Sequence, residues 1–407
     1  MEDALGHPPL RNGGFSLLET LVRSSSYCQH DSAFRGTLLN MSTNGAAKTI
    51  LEGLIGLFGQ NRHWLLFFGT GTSRALDERL GMPELTEHLK KKMGDATDWP
   101  HILSRLEAGH SLEQALTGVG LSSTTKSRIQ QATGDYIAKI DHEVRDDVLL
   151  GKKLWMGETL VKALVQRLPP RNPCLPIVTA NYDMLIEYAC TAHGIRYTTG
   201  FQGEIIRTWN WEQAKDSLNQ CRLSREGAKN VVLMNPLPRV ELFKLHGSIN
   251  LFTKTSANRQ IECDLWSESV PEGLDRVIAA PGDQKYEQYA SIVDTAAHAR
   301  RAENETMAFA VIGYGFNDPH LHERIFARVR SQDCPLIILT LDLGVDRVKE
   351  LRGLGRQVWI LVAPKSPTGD IHKSQTLVFS PCFDAPVFLD KERLWSCDCF
   401  AERILGG

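Results

Sequence analysis

The sequence predicts an α/β fold, a doubly wound parallel sheet with a helical insertion module, and three observations carry that prediction. Apolar runs of strand length alternate with helical patterns, the order that builds parallel sheets. Four of those runs end in glycines or in Asn, Asp and His. Between the first and second runs, residues 98–168 repeat their apolar side chains only at helical spacing.

Taken in order, residues 1–45 are rich in Ser, Gly and polar side chains and read as a peripheral or poorly ordered segment. Residues 46–97 open the sheet domain. Their strand, Trp64 to Phe68, is apolar on both faces, as a strand covered on both sides requires. It breaks at Gly69-Thr70-Gly71-Thr72-Ser73, and a helical pattern with Leu85, Leu89 and Met93 follows. In the helical insertion, 98–168, Ile129, Tyr136, Ile140, Val144 and Val148 recur at the spacing of one helix face. We expect this module to cover the site at the strand ends.

Pro169, Pro170 and Pro173 end the insertion, and residues 169–364 resume the sheet domain. Strand Leu175 to Thr179 leads into Asn181-Tyr182-Asp183 and a helix bearing Leu185 and Tyr188. Strand Val240 to Leu245 delivers His246-Gly247, and the polar stretch from Lys254 to about Gly273 reads as loop. Strand Ala308 to Ile312 ends at Gly313-Tyr314-Gly315, with a helix from about Pro319. Leu336 to Leu341 ends at Asp342, Val345 to Leu351 is helical, and Gln357 to Val362 closes the sheet. Residues 365–407 form a C-terminal tail with no assigned element.

The chain has 407 residues, 42% hydrophobic and 23% charged, as in an ordinary globular protein. A net charge of −2 gives no footprint for direct nucleic-acid binding. No run approaches the ~18 apolar residues of a membrane span, and the N-terminus lacks the basic and apolar regions of a secretory signal. The expected location is cytoplasmic. Nine cysteines, an odd number with no Cys-x-x-Cys pair, read as reduced thiols and give no zinc ribbon.

Ligands of a parallel sheet bind beyond the carboxyl ends of its strands, where the four polar and glycine-rich ends should meet. Gly69 to Ser73 suits close backbone approach to a pyrophosphate. Arg74 either neutralises phosphate or faces solvent. Asn181 can hold a water or a ribose hydroxyl, and Asp183 can accept a carboxamide N–H; an Asx turn with a helix cap is the alternative for both. His246 titrates near neutrality and can accept a proton. His320 and His322 read as capping or solvent-facing residues.

These motifs, in this order, resemble the NAD-site motifs of sirtuins: Gly69 to Ser73, Thr179 to Asp183, and His246-Gly247. Gly313-Tyr314-Gly315-Phe316-Asn317-Asp318-Pro319 resembles the late glycine loop of their bacterial, defence-associated relatives. The resemblance spans roughly residues 60–364 and implies a Rossmann-like domain that binds NAD+ as substrate. It implies that Gly69, Thr70, Gly71, Thr72 and Ser73 hold the pyrophosphate. Asn181 and Asp183 address the nicotinamide ribose and carboxamide, and His246 is the catalytic histidine. Gly313, Tyr314 and Gly315 line the phosphate and adenosine-ribose side, and Asp342 holds the ribose hydroxyls.

Deacylating sirtuins carry paired zinc-binding cysteines after the His-Gly motif, whereas here only Cys263 follows in that region. No zinc is expected, and the resemblance then implies an NAD+ hydrolase that releases nicotinamide and ADP-ribose. The alternatives are a protein deacylase or ADP-ribosyl transferase, and a non-catalytic subunit that senses NAD or ADP-ribose. By the same resemblance the protein is a homo-oligomeric, NAD-depleting effector of anti-phage defence that works with a HerA-type ATPase. The chain contains no Gly-x-x-x-x-Gly-Lys-Ser/Thr motif of its own.

Overall fold

The computed structural model describes residues 43–60, 62–226, 229–254, 259–282, 293–366 and 370–406. The peripheral segment expected over 1–45 therefore lies outside the described residues up to residue 42.

In chain order, helix α1 (Thr43–Gly59) precedes β1 (Trp64–Phe68) and the short α2 (Thr70–Arg74). Residues 98–168 carry helices and no strand. After α3 (Met82–Lys92) come α4 (Trp99–Glu107), α5 (Leu112–Leu116), the long α6 (Ser123–Leu149) and α7 (Glu158–Val165). Then follow β2 (Cys174–Thr179), α8 (Leu185–Ala192), β3 (Arg196–Thr198), β4 (Phe201–Gly203), β5 (Arg207–Trp209) and α9 (Trp211–Asp216). Strands β6 (Gln220–Glu226), β7 (Lys229–Asn235), β8 (Arg239–Lys244), β9 (Gly247–Lys254), β10 (Arg259–Glu262) and β11 (Leu274–Ile278) complete the middle of the chain. The last part is α10 (Val293–Glu305), β12 (Ala308–Ile312), α11 (Pro319–Gln332), β13 (Leu336–Thr340), α12 (Val345–Arg352), β14 (Val358–Val362), β15 (Thr376–Phe379), β16 (Val387–Leu389) and α13 (Cys397–Phe400).

The main sheet has nine strands in the order β16-β15-β14-β13-β12-β1-β2-β8-β3. From β14 to β3 every pair is parallel. One winding runs outward from β1 through β2 to β8, and the other from β12 through β13 to β14. The direction of winding thus reverses between β1 and β12, the point where open α/β sheets leave a crevice. Strands β1, β2, β12, β13 and β14 are buried at every position. Alternate residues feed opposite layers: Leu66, Phe68, Ala310 and Ile337 enter one core cluster, and Leu65, Phe67, Phe309 and Ile338 the other.

A third core joins α3 to the helical segment and is built from Leu85, Leu89, Trp99, Ile102, Leu116 and Ile129, with Ala280 against them. Helix α6 links it to the main body, since its later residues Ile140, Val144 and Val148 join the first sheet cluster. No helix among the described residues is long and apolar enough to cross a membrane.

Three sequence expectations are corrected. Gln357 to Val362 does not close the sheet, and the supposed tail is part of it, because β15 and β16 add to β14 in antiparallel fashion. The stretch read as loop from Lys254 to Gly273 contains β10, which pairs with β9; residues 255–258 of it lie outside the described residues. A second, antiparallel sheet (β11-β9-β10-β5-β4) and a β6-β7 hairpin stand where no strands were expected. Most of these strands mix polar and apolar residues and carry no continuous apolar run, Val231 to Met234 in β7 being the exception; their register comes from cross-strand pairing.

Gly247 is the hinge from the main sheet into the second one. Its φ of +78° is left-handed, and a Cβ there would stand 2.1 Å from the Val277 carbonyl oxygen. Gly247→Ala is expected to cost about 2 kcal/mol or more, whereas Gly120→Ala, with open space around it, should change the denaturation midpoint little. Urea titration of both variants checks this.

Candidate functional site

Because β1, β2, β8 and β12 are mutually parallel, the four predicted strand ends lie on one edge of the sheet. The two glycine loops press together there. The Gly69 amide donates to the Ile312 carbonyl at 2.9 Å and the Gly71 amide to the Gly313 carbonyl at 2.8 Å. A Cβ on Gly69 or Gly71 would fall 2.6 or 2.7 Å from the Gly313 oxygen. Gly313 itself has φ +61° and donates to the Leu339 carbonyl at 2.8 Å. The glycines of the first loop thus admit another backbone at close range. The amides of Gly69, Gly71 and, through a bond to the Gly69 carbonyl, Thr72 are occupied by the protein itself.

Asn181 lies across this junction. Thr179 Oγ1 donates to the Phe68 carbonyl at 2.9 Å and accepts the Asn181 amide at 3.0 Å, so the turn after β2 is tied to β1. The Asn181 side chain donates from Nδ2 to the Gly69 carbonyl at 3.1 Å and to Ser73 Oγ at 2.9 Å. A backbone carbonyl can only accept, so the amide nitrogen must face it. Oδ1 is left buried, with no hydrogen-bond partner among the described residues. An orphaned buried acceptor of this kind fits a ligand donor or a bound water.

Asp183 forms the Asx turn that opens α8 and also joins this network. One oxygen accepts the Leu185 amide at 3.3 Å and the other accepts Ser73 Oγ at 2.7 Å. Burial pushes its carboxyl above the usual carboxylate range, opposed mainly by the charge of Lys244. Lys244 Nζ is buried, donates to the Asp183 carbonyl, and pairs with Glu187 at 2.8 Å. From α6, Asp141 accepts the Met184 amide at 2.8 Å and the Tyr188 hydroxyl at 2.6 Å. Burial pushes Asp141 up to about 7. Neither Lys244 nor Asp141 stands out in the sequence, since β8 also carries Arg239 and Glu241.

His246 reaches the same edge through the Leu245 amide, which donates to the Thr179 carbonyl at 3.0 Å. Its Nε2 lies 3.5 Å from Asp318 Oδ2, a pairing that sequence reasoning missed although both residues lay in motifs. Asp318 is held as the N-cap of α11, where it accepts the His320 amide at 3.2 Å. Its carbonyl accepts the Tyr314 hydroxyl at 2.8 Å. Burial pushes the Tyr182 phenol up, reinforced by the charges of Glu113 and Asp318.

The late glycine loop is split by burial. Gly315 is exposed. Tyr314 packs its ring on Phe67 at 4.7 Å, within the second core cluster. His322, expected to cap or face solvent, is instead buried at 3.2 Å from the Tyr314 hydroxyl. Burial and the charge of Arg347 hold it down to about 4, so it is neutral. Asp342 sits exposed beyond β13 and pairs with Lys365, while Arg74 is exposed beside the first loop. Among the described residues no group of three or more His, Cys, Asp or Glu side chains is placed to hold a metal ion. Asn181, Asp183 and His246 are only 3%, 6% and 6% exposed.

With this geometry established, comparison with known proteins is informative. Residues 176–335 match the family model of the SIR2-like domain. That stretch holds Asn181, Asp183, His246, the Gly313–Gly315 loop and Asp318, whereas the first glycine loop and Asp342 lie outside it. A solved structure treating the structural basis for the mechanism and regulation of Sir2 enzymes is similar at 12% identity and a TM-score of 0.37, covering 76% of this chain and 90% of that chain. No curated protein matches.

Removing one member of the buried Lys244–Glu187 pair leaves an uncompensated charge. Lys244→Met is expected to cost about 3–5 kcal/mol, with most of it recovered in Lys244→Met/Glu187→Leu; denaturant titration of both decides. Asp141 gives a pH signature. Between its ordinary value of 3.8 and about 7, the folded protein retains a proton that the unfolded chain has lost. Its contribution to stability thus falls as pH rises through that window. Asp141→Asn should remove this slope in melting experiments run across it.

Proposed function

We propose that this protein hydrolyses NAD+ at the nicotinamide–ribose bond, giving nicotinamide and ADP-ribose. The observation that carries the reading is the convergence of Asn181, with its unpartnered Oδ1, and His246, with Asp318 behind it, at the ends of adjacent parallel strands. The match to the SIR2-like domain over the same residues supports it.

In the proposed reaction the C–N bond breaks with its electron pair leaving on nicotinamide, a cationic ring that becomes neutral and needs no proton. Positive charge develops on the ribose carbon. Asn181 Oδ1 accepts a hydrogen from the attacking water or a ribose hydroxyl, since Nδ2 is already committed. The water oxygen bonds to the ribose carbon, and its proton passes to His246 and then to solvent. Asp318 orients the imidazole and stabilises its cation. Asp183 keeps Ser73 and the turn in place and offers remaining lone pairs to the carboxamide. With three loop amides already engaged, the half-buried Thr70 is the residue of Gly69–Ser73 that we assign to the pyrophosphate. Gly313, Gly315 and Asp342 are assigned to the adenosine side.

A sensing subunit that binds NAD or ADP-ribose without turnover is the second reading, favoured by the near-complete burial of the site. One experiment separates the two: purified protein incubated with NAD+, with released nicotinamide quantified with and without a HerA-type ATPase, the partner the proposal includes. Turnover is expected, and Asn181→Ala or His246→Ala should each lower it by about 10²–10⁴-fold. NAD+ binding with no nicotinamide under either condition would establish the sensor instead. Turnover that the His246 variant leaves unchanged takes that residue out of the mechanism.

A further inference from the structure

A cavity of about 560 Å³ lies between α3 and α6, in the helical segment. None of the strand-end residues named above lines it. Met93, Ala132 and Ile140 contribute apolar surface to it, and two of these are buried. His88 and Tyr136 also line it, stacked with ring centroids 4.3 Å apart and planes at 27°.

The charges around it do not balance. Arg79 is paired with Asp77 at 2.7 Å and Glu143 at 2.6 Å, and Arg128 with Asp95 at 2.6 Å. The one carboxylate lining the cavity, Asp135, is paired with Arg276 at 2.8 Å. Lys92 and Lys139 enter no ion pair among the described residues. Both are exposed, so neither is needed to hold the core. Two uncommitted ammonium groups beside half-buried rings and an apolar surface suit a ligand that joins phosphate to a planar ring. The volume falls in the range of sites for one small molecule, roughly 300–1,000 Å³.

We propose that this groove binds a nucleoside phosphate, with its phosphates on Lys92 and Lys139 and its base against His88 and Tyr136. The site is separate from the strand-end site and does not depend on the reaction proposed there. It shares a helix with that site, because Asp141, next to Ile140, holds the Met184 amide and the Tyr188 hydroxyl.

His88 is a built-in reporter, since burial and the charges of Lys92 and Lys91 hold its imidazole below the usual histidine range, with Asp135 opposing. Bound phosphate would offset those lysines and raise it. The test follows histidine resonances of the full chain by NMR, with His88 assigned through His88→Gln, during titration with ADP, pyrophosphate and adenosine. We expect ADP to shift the His88 signal saturably and to raise its titration midpoint. Half-saturation should weaken by roughly tenfold or more in Lys92→Glu/Lys139→Glu and persist in Asn181→Ala. Pyrophosphate and adenosine alone should each bind more weakly than ADP. No response to ADP, an unchanged response in the lysine variant, or loss of the response in Asn181→Ala would overturn the proposal. Pyrophosphate binding as tightly as ADP would also overturn it, as the mark of a plain anion patch. Nicotinamide release from NAD+ in the same samples reports on the strand-end site independently.

Discussion

Strand β1 is hydrogen-bonded on both sides by parallel neighbours that belong to opposite windings, β2 on one side and β12 on the other. That arrangement forces the carboxyl ends of three strands onto one edge at the place where the connections diverge. The loops that emerge there have no room to pass at ordinary side-chain distance. Glycine at 69, 71 and 313 resolves the crowding, and the backbones bond to each other directly. The strand-end residues are arranged around that junction: Asn181 bridges it, Ser73 and Asp183 brace it, and His246 arrives one strand further along.

The bracing is ionic and dry. Asp141, Asp183, Glu187 and Lys244 are buried within one small region, and burial raises all three carboxyls. Removing so much charge from water is unfavourable unless every group is engaged. Lys244 pairs with the Glu187 carboxylate and donates to the Asp183 backbone carbonyl, backbone amides and hydroxyls engage Asp141 and the Asp183 carboxyl, and Glu187 Oε2 has no partner among the described residues. The result is a turn after β2 whose side chains have little freedom, which is what a positioned amide acceptor requires. The His246–Asp318 pair is built differently, from a strand end and a helix cap contributed by distant parts of the chain.

Helix α6 connects three regions that would otherwise be separate. Its first half packs in the small helical core, its second half joins the sheet core, and Asp141 reaches the turn beside Asp183. Gln130 donates to the Arg276 carbonyl at 3.1 Å, and Arg276 pairs with Asp135, so the helix also grips β11 of the second sheet. A displacement of this one element would be felt at the strand-end site and in the basic groove alike.

Much of this was legible in the residues themselves. Five of the parallel strands are continuous apolar runs, because a strand covered on both faces must be apolar along its length, and that pattern survives without knowledge of the fold. The turn residues after those strands were legible too, since glycine and Asx residues follow from local backbone demands. The second sheet and strands β15 and β16 were not, as strands of mixed polarity, or of only three or four residues, give too weak a local pattern. Tyr314 and His322 show the same limit: the resemblance assigns the tyrosine to the phosphate and adenosine-ribose side and the histidine reads as a cap or surface group, yet both side chains are buried beside β1 and α11. The sequence alone therefore determined the parallel α/β class and the identity of the side chains at the carboxyl edge of its sheet. Only the tertiary structure decided which of them touch, that Asn181 turns its carbonyl oxygen to no donor among the described residues, and that Asp318 is the partner of His246. Contacts of that kind depend on strand order and loop closure, which no local pattern of residues encodes.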